Sequence, residues 1–167
     1  LKDYKISLGE PIRAMLAERL SSPKEILEKL GGKCIAEYKY DGERIQAHKN
    51  GDHVILFSRR LENITDQYPD AAELIKNNII PKETIIEAEC VAVNLDTDEL
   101  MPFQELMHRR RKYEIEKAIS EYPVSLFVFD VLYVDGRDLT LEPYLVRHNA
   151  LKGIIRQSDR IQMAKYL

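Results

Sequence analysis

A chain of 167 residues, 44% hydrophobic and 32% charged, is long enough for one domain with its own core, and this composition excludes disorder of the chain as a whole. The formal net charge of −3 excludes a generic polycation, so nucleic-acid binding would have to come from local basic patches. No apolar run approaches the roughly 20 residues of a membrane-spanning helix, and Cys34 and Cys90 lack metal-ligand spacing, reading as small buried hydrophobes of a reducing, intracellular compartment.

In chain order, Ser22-Pro23-Lys24-Glu25 is a helix start: a serine cap, proline in the first turn and glutamate three residues on. Gly31-Gly32 stops that helix, and Leu16, Leu20, Ile26, Leu27 and Leu30 supply apolar contact around it. Three strands are predicted at 33–40, 43–49 and 53–58, joined by turns at Asp41-Gly42 and Asn50-Gly51, where glycine tolerates positive φ. A helix follows over 68–78, then a strand from Thr84 to Asn94 rich in Ile and Val, and a turn at Asp96-Thr97-Asp98. A helical stretch runs from Phe103 to Ser120 until Pro123 breaks it. The most hydrophobic strand spans Val124 to Val134, Asp135-Gly136 turns the chain, and a last helix covers 143–156. Strands and helices mix without strict βαβ order, which predicts an α+β fold with mostly antiparallel sheets flanked by helices.

The stretch richest in chemistry is Lys39-Tyr40-Asp41-Gly42-Glu43-Arg44. If 34–39 is extended, Cys34, Ala36 and Tyr38 share one face, while Ile35, Glu37 and Lys39 share the other. Two charges two residues apart suit a pocket wall better than a buried strand. A lysine at a hairpin mouth with an arginine five residues later suits attack of an amine on a phosphate. An ordinary lysine, with a reference pKa of about 10.4, is almost wholly protonated at neutral pH, so such chemistry calls for a divalent metal and arginines nearby. The bland alternative is an exposed hairpin whose charges only solvate an edge.

Lys39-Tyr40-Asp41-Gly42-Glu43-Arg44 resembles the nucleotidyl-acceptor motif of ATP-dependent DNA ligases, members of the covalent nucleotidyltransferases together with RNA ligases and mRNA capping enzymes. Further stretches resemble that family in its order: Pro11-Ile12-Arg13-Ala14-Met15-Leu16-Ala17, Phe57-Ser58-Arg59-Arg60, Glu87-Ala88-Glu89, Pro102-Phe103-Gln104-Glu105-Leu106 through Arg109-Arg110-Arg111, Phe127-Val128-Phe129-Asp130, and Pro143-Tyr144-Leu145 with Arg147. The resemblance implies an adenylation-domain fold, with the chain forming its N-terminal portion, truncated on the C-terminal side, and the DNA-binding and oligonucleotide-binding domains absent. It implies that Lys39 attacks the α-phosphate of ATP and carries AMP as a phosphoramidate. Glu37 would accept a hydrogen bond from the adenine amino group. Arg44 and Arg59 would contact ribose, phosphate or the nick end, Glu89 would bind ribose or position Mg2+, and Phe129 would stack on adenine. The substrate would be nicked double-stranded DNA, and a sliding clamp would be met through the absent domains. The same resemblance leaves an RNA ligase or capping enzyme as rivals, and leaves the isolated piece as a nucleotide-binding module without chemistry of its own.

Other candidates have ordinary readings beside the functional one. Glu87 and Glu89 share a strand face, where unpaired buried carboxylates would be costly, so they call for a metal, a hydroxyl or an arginine unless that face is open to solvent. Phe127 and Phe129 share a face and would ordinarily be core. Arg109-Arg110-Arg111-Lys112 would ordinarily be a solvated helix face, or else, with Arg59 and Arg60, would hold DNA phosphates. His48, His53, His108 and His148 are scattered and suggest neither a metal site nor a triad, and Ser58 has no histidine base near it in sequence.

Overall fold

The computed structural model describes residues 5–110 and 115–167. Gly51 takes a φ of +59°, and the chain reverses there between β1 (Glu43–Asn50) and β2 (His53–Ser58), as the Asn-Gly pair predicts. The other edge of β1 pairs antiparallel with β3 (Glu83–Ala92), and β3 pairs antiparallel with β4 (Val124–Val134). The Asp135-Gly136 turn returns β5 (Arg137–Asp138) along the end of β4, while β6 (Ile161–Met163) runs parallel to its beginning. The sheet order is β2-β1-β3-β4-β5, with β6 beside β4. The expected α+β architecture with a mostly antiparallel sheet is what the chain adopts.

Period-two alternation gives this sheet two chemically different faces. One carries Ile45 and Ala47 from β1, Ile86, Ala88, Cys90 and Ala92 from β3, and Leu126 and Val128 from β4. Against it lie Ala71 and Ile75 of α2 (Pro69–Asn78) and Leu151 of α5 (Tyr144–Ile154). Each fully buried aliphatic side chain there contributes about 1.5–3 kcal/mol of transfer free energy. The opposite face carries Arg44, Gln46 and His48, then Glu87, Glu89 and Val91, then Phe127 and Phe129. The register of β4 against β3 slips twice, leaving Leu132 and Phe129 with no residue opposite. Such irregularities bend a strand and re-aim its side chains.

Some sequence expectations give way. Residues 33–40 form no strand; a single bridge joins Glu37 to Tyr166, flanked by backbone bonds from Ala36 to Leu167 and from Tyr38 to Lys165. Beyond that bridge the segment is held by side chains, Glu37 by Tyr144 and Tyr40 by Phe127, rather than by a ladder, and Cys34 is exposed rather than core. Ser22 does cap α1 (Pro23–Lys29), its hydroxyl accepting from the Glu25 amide, and Gly31 ends it at a φ of +75°. Yet α1 buries none of its residues, and Leu16, Leu27 and Leu30 are exposed. The stretch Phe103–Ser120 is not one helix: α3 (Phe103–Leu106) passes into a 3-10 turn, Met107–Arg110, and α4 (Ile115–Glu121) lies beyond. The chain tightens where Arg109 turns inward.

Gly42 is glycine for a reason other than φ. Its backbone is not in the left-handed region; instead, a Cβ there would lie 2.2 Å from the Cys90 carbonyl oxygen and 2.9 Å from Val91 Cγ2. Only a residue without a side chain lets the turn sit this close to β3.

The segment before α1 is clamped to β1 by side chains. The Ile12 amide donates to Gln46 Oε1 at 2.8 Å, and Gln46 Nε2 donates back to the Ile12 carbonyl at 3.0 Å. The Gly9 amide donates to His48 Nδ1 at 3.0 Å. Because Nδ1 accepts, the ring proton resides on Nε2, which donates to Gln46 Oε1 at 2.9 Å. Burial lowers the His48 pKa to about 4.

Two outcomes follow from these local arrangements. Between pH 6.5 and about 4 the unfolded chain takes a proton that folded His48 refuses, so stability should fall with falling pH across that window, by up to about 3 kcal/mol. Equilibrium unfolding on either side of the window measures the drop, and an unchanged slope in His48→Gln would contradict it. Gly42→Ala should cost about 1–3 kcal/mol, since backbone rather than a flexible side chain must give way; a denaturation midpoint equal to that of the parent would mean the turn yields freely.

Candidate active site

Lys39 lies on an irregular segment, so its position depends on what holds its neighbours. Tyr40 stacks on Phe127 with ring centroids 3.8 Å apart and an interplanar angle of 8°. Asp41 Oδ2 accepts from the Phe103 amide at the start of α3, at 3.3 Å. The Gly42 amide donates to Glu89 Oε1 at 3.2 Å. The turn after Lys39 is thus tied to β4, to α3 and to β3 in three successive residues, while the Lys39 side chain itself is exposed.

Glu89 is the electrostatic centre of this arrangement. Burial raises its pKa; the charge of Lys39, the Gly42 amide and the charge of Arg44 oppose that rise, and Asp41 adds to it. Lys39, Asp41, Arg44 and Glu89 therefore interact across one small volume above the sheet. The register sets Arg44 opposite Glu89 and Gln46 opposite Glu87. Arg44 nevertheless reaches diagonally, its Nε donating to Glu87 Oε2 at 2.5 Å, and Gln46 Nε2 donates to Glu87 Oε1 at 2.8 Å. Glu87, only 3% exposed, is therefore neutralised where it stands. The guanidinium of Arg44 also lies 5.2 Å from the centroid of the Phe129 ring, so the slipped register brings Phe129 to the same place.

Arg44, Gln46 and Glu87 share a cleft with Ile12, Ala14, Ser58 and Arg59. Ser58 shapes the turn there: its hydroxyl accepts from the Arg60 and Glu62 amides at 3.2 and 3.3 Å, and Leu61 adopts a φ of +66°. Arg59 and Arg60 are exposed at that turn. Glu37 lies against α5, where Tyr144 Oη donates to its Oε1 at 2.5 Å.

Arg109, which opens the basic run, is not on the surface its composition suggested. Arg109 is 1% exposed. Its Nη2 donates to Asp70 Oδ1 at 2.8 Å, its guanidinium lies 5.2 Å from the Tyr68 ring centroid, and its Nε and Nη1 have no hydrogen-bond partner among the described residues. An arginine can be buried this way because an aspartate neutralises it; a DNA phosphate cannot reach it. The side chain of Arg110, and Arg111 altogether, lie outside the described residues. Sequence reasoning missed Gln46, Tyr68, Asp130 and Tyr144 as residues that hold others. Their partners are distant in the chain, and although Asp130 and Tyr144 stand in family-like stretches, no local pattern names those partners.

Among the described residues, no three His, Cys, Asp or Glu side chains come together as a metal-binding group. Glu89 could supply one oxygen to a Mg2+ that drew its remaining ligands from phosphate and water, the usual manner for this ion.

The model of the ATP dependent DNA ligase domain family matches residues 14–167. DNA ligase 2 of Thermofilum pendens is 61% identical over 93% of this chain, and the DNA ligase of Hyperthermus butylicus is 55% identical over 99% of it. The chain spans 26% and 27% of the lengths of these two relatives. Among solved structures, a mycobacterial DNA ligase D complexed with ATP and MES superposes with a TM-score of 0.57 at 22% identity, covering 80% of this chain and 40% of that one. The ligase domain from M. tuberculosis LigD gives a TM-score of 0.54 at 24% identity, over 71% of this chain and 36% of that one. The structural likeness concerns the fold, and the sequence match fixes the kinship: this chain belongs to the ATP-dependent DNA ligase family.

Proposed function

We propose that residues 1–167 form the N-terminal portion of the adenylation domain of an enzyme that seals nicks in double-stranded DNA at the expense of ATP. The observation that carries this reading is the triple tethering of the turn after Lys39, which holds an amine-bearing segment above Glu89 and Arg44. Positioning of this kind supplies much of the catalysis in reactions where phosphorus changes partners.

In the first step the neutral Lys39 Nζ attacks the α-phosphorus of ATP. A nitrogen–phosphorus bond forms, the bond to pyrophosphate breaks, and the amine gives its proton to solvent. In the second, an oxygen of the 5′-phosphate at a nick attacks the same phosphorus and Lys39 leaves. In the third, the 3′-hydroxyl attacks the activated 5′-phosphate, and AMP departs with its bonding electrons. Arg44 and Arg59 offset the negative charge that gathers on the phosphoryl oxygens. Phe129 offers a ring face to the adenine, and Glu37 a carboxylate to its amino group. Arg59 and Arg60, exposed on one turn, contact the DNA backbone at the nick. Mg2+, with Glu89 as one ligand, would neutralise phosphate charge.

Lys39→Ala, introduced into the whole protein that carries this chain, should abolish transfer of radiolabelled AMP from ATP to protein; persistent labelling would place the nucleophile elsewhere. Glu89→Gln keeps an oxygen for the Gly42 amide but removes the charge. It should slow labelling about 100-fold, comparable to loss of an oriented charge-stabilising group, and shift the melting temperature by only a few degrees. Loss of the fold instead would make Glu89 a structural residue.

A further inference from the structure

Tyr144 and Arg147 stand three residues apart on α5, on the same side of its first turns. Arg147 grips Asp130 with two nitrogens, Nε at 2.7 Å and Nη2 at 3.1 Å, and its Nη1 donates to the Glu142 carbonyl at 2.6 Å. Asp130 directly follows Phe129 on β4. Tyr144 meanwhile donates its hydroxyl to Glu37 Oε1 at 2.5 Å, and its ring stacks on His148 at 5.6 Å. His148 in turn meets the ring of Tyr166, the residue bridged to Glu37. One short helical surface therefore braces both groups assigned above to the adenine: the ring beneath it through Arg147, and the carboxylate beside it through Tyr144.

We propose that Tyr144 is a positioning residue for nucleotide selection, orienting Glu37 so that its other carboxylate oxygen receives the 6-amino group of adenine. The proposal rests on the reading of Glu37 as the acceptor for that amino group. A carboxylate on a flexible, irregular segment would sample many orientations; one hydroxyl donor fixes its plane and leaves Oε2 to accept. Burial and the neighbouring Glu37 carboxylate hold the Tyr144 hydroxyl above its ordinary pKa, so it remains a donor throughout the physiological range. A carboxylate so held stays an acceptor, which favours a 6-amino group and repels the 6-oxo group of guanine.

The test compares ATP with purine riboside triphosphate, which lacks the 6-amino group, in single-turnover formation of the lysine adduct by the whole protein. The parent should require about tenfold more of the analogue for half-saturation, the value of one charge-assisted hydrogen bond. Tyr144→Phe keeps the ring on His148 and removes only the hydroxyl. It should raise the half-saturating ATP concentration about fivefold, leave the analogue's value unchanged, and alter the maximal rate with ATP by less than about twofold. Equal shifts for both nucleotides, or no shift with ATP, would overturn the role of Tyr144. A parent that does not distinguish the two nucleotides would overturn the Glu37 assignment itself, a separate result read before the variant is made.

Discussion

The close contact between the Gly42 turn and β3 is the constraint on which the site depends. The turn presses against the Cys90 carbonyl at a distance only glycine permits, and its amide reaches Glu89 from there. Lys39 sits three residues before that contact, on a segment with almost no ladder of its own. Ordering such a segment costs about 1–2 kcal/mol per residue in backbone entropy. The cost is met by separate anchors on three consecutive residues, none of which immobilises the lysine side chain. The backbone is held while the lysine side chain stays exposed.

The same contact explains why one face of the sheet can be polar without destabilising the domain. Two carboxylates and an arginine stand within a few residues of each other on β1 and β3. Glu87 is neutralised by Arg44 and Gln46, so its burial is compensated. Glu89 gives one oxygen to a backbone amide and feels Lys39 as its strongest opposing charge. The two glutamates differ in environment although they occupy equivalent positions two residues apart: one is a fixed counter-ion and the other feels the Lys39 amine. Beneath the turn, on the core side, Tyr68 donates to Glu43 at 2.9 Å while the Arg109 guanidinium lies by its ring and holds Asp70 at the start of α2. The turn after Lys39 is thus braced from both faces of the sheet.

Much of this was legible in the residues, for identifiable reasons. Strands β1 to β4 declare themselves through alternation and β-branched runs, and the Asn50-Gly51 hairpin through its turn chemistry. The stretches that resemble the ligase family hold Lys39, Arg44 and Glu89, which interact above the sheet, and Arg59, which shares a cleft with Arg44. Where reading from sequence failed, the deciding partner was far away. Residues 33–40 have a strand's pattern but form a single bridge, and side chains of β4 and α5 hold them instead. Gly42 was assigned a left-handed turn, whereas a carbonyl on β3, 48 residues away, is what demands glycine there. Phe129 owes its place beside Arg44 to a register slip that no periodicity encodes. Arg109 has the composition of a solvated face and the environment of a core residue, because Asp70 happens to stand where it can pair.

That last inversion redistributes the charge available to a polyanion. The run Arg109-Arg110-Arg111-Lys112 suggested the densest cationic surface, yet its first member is spent on Asp70, which also meets Arg160 at 3.4 Å. Among the described residues, the turn shaped by Ser58 carries two exposed arginines, Arg59 and Arg60, and Arg59 lines the site cleft. With a net charge of −3 the chain lacks a long-range attraction for DNA. An anion approaching it is met by local groups, the exposed Arg59 and Arg60 among them. Arg59, the residue after β2, lines a cleft with Arg44 of β1, so the hairpin joining these two strands sets the two arginines beside one another.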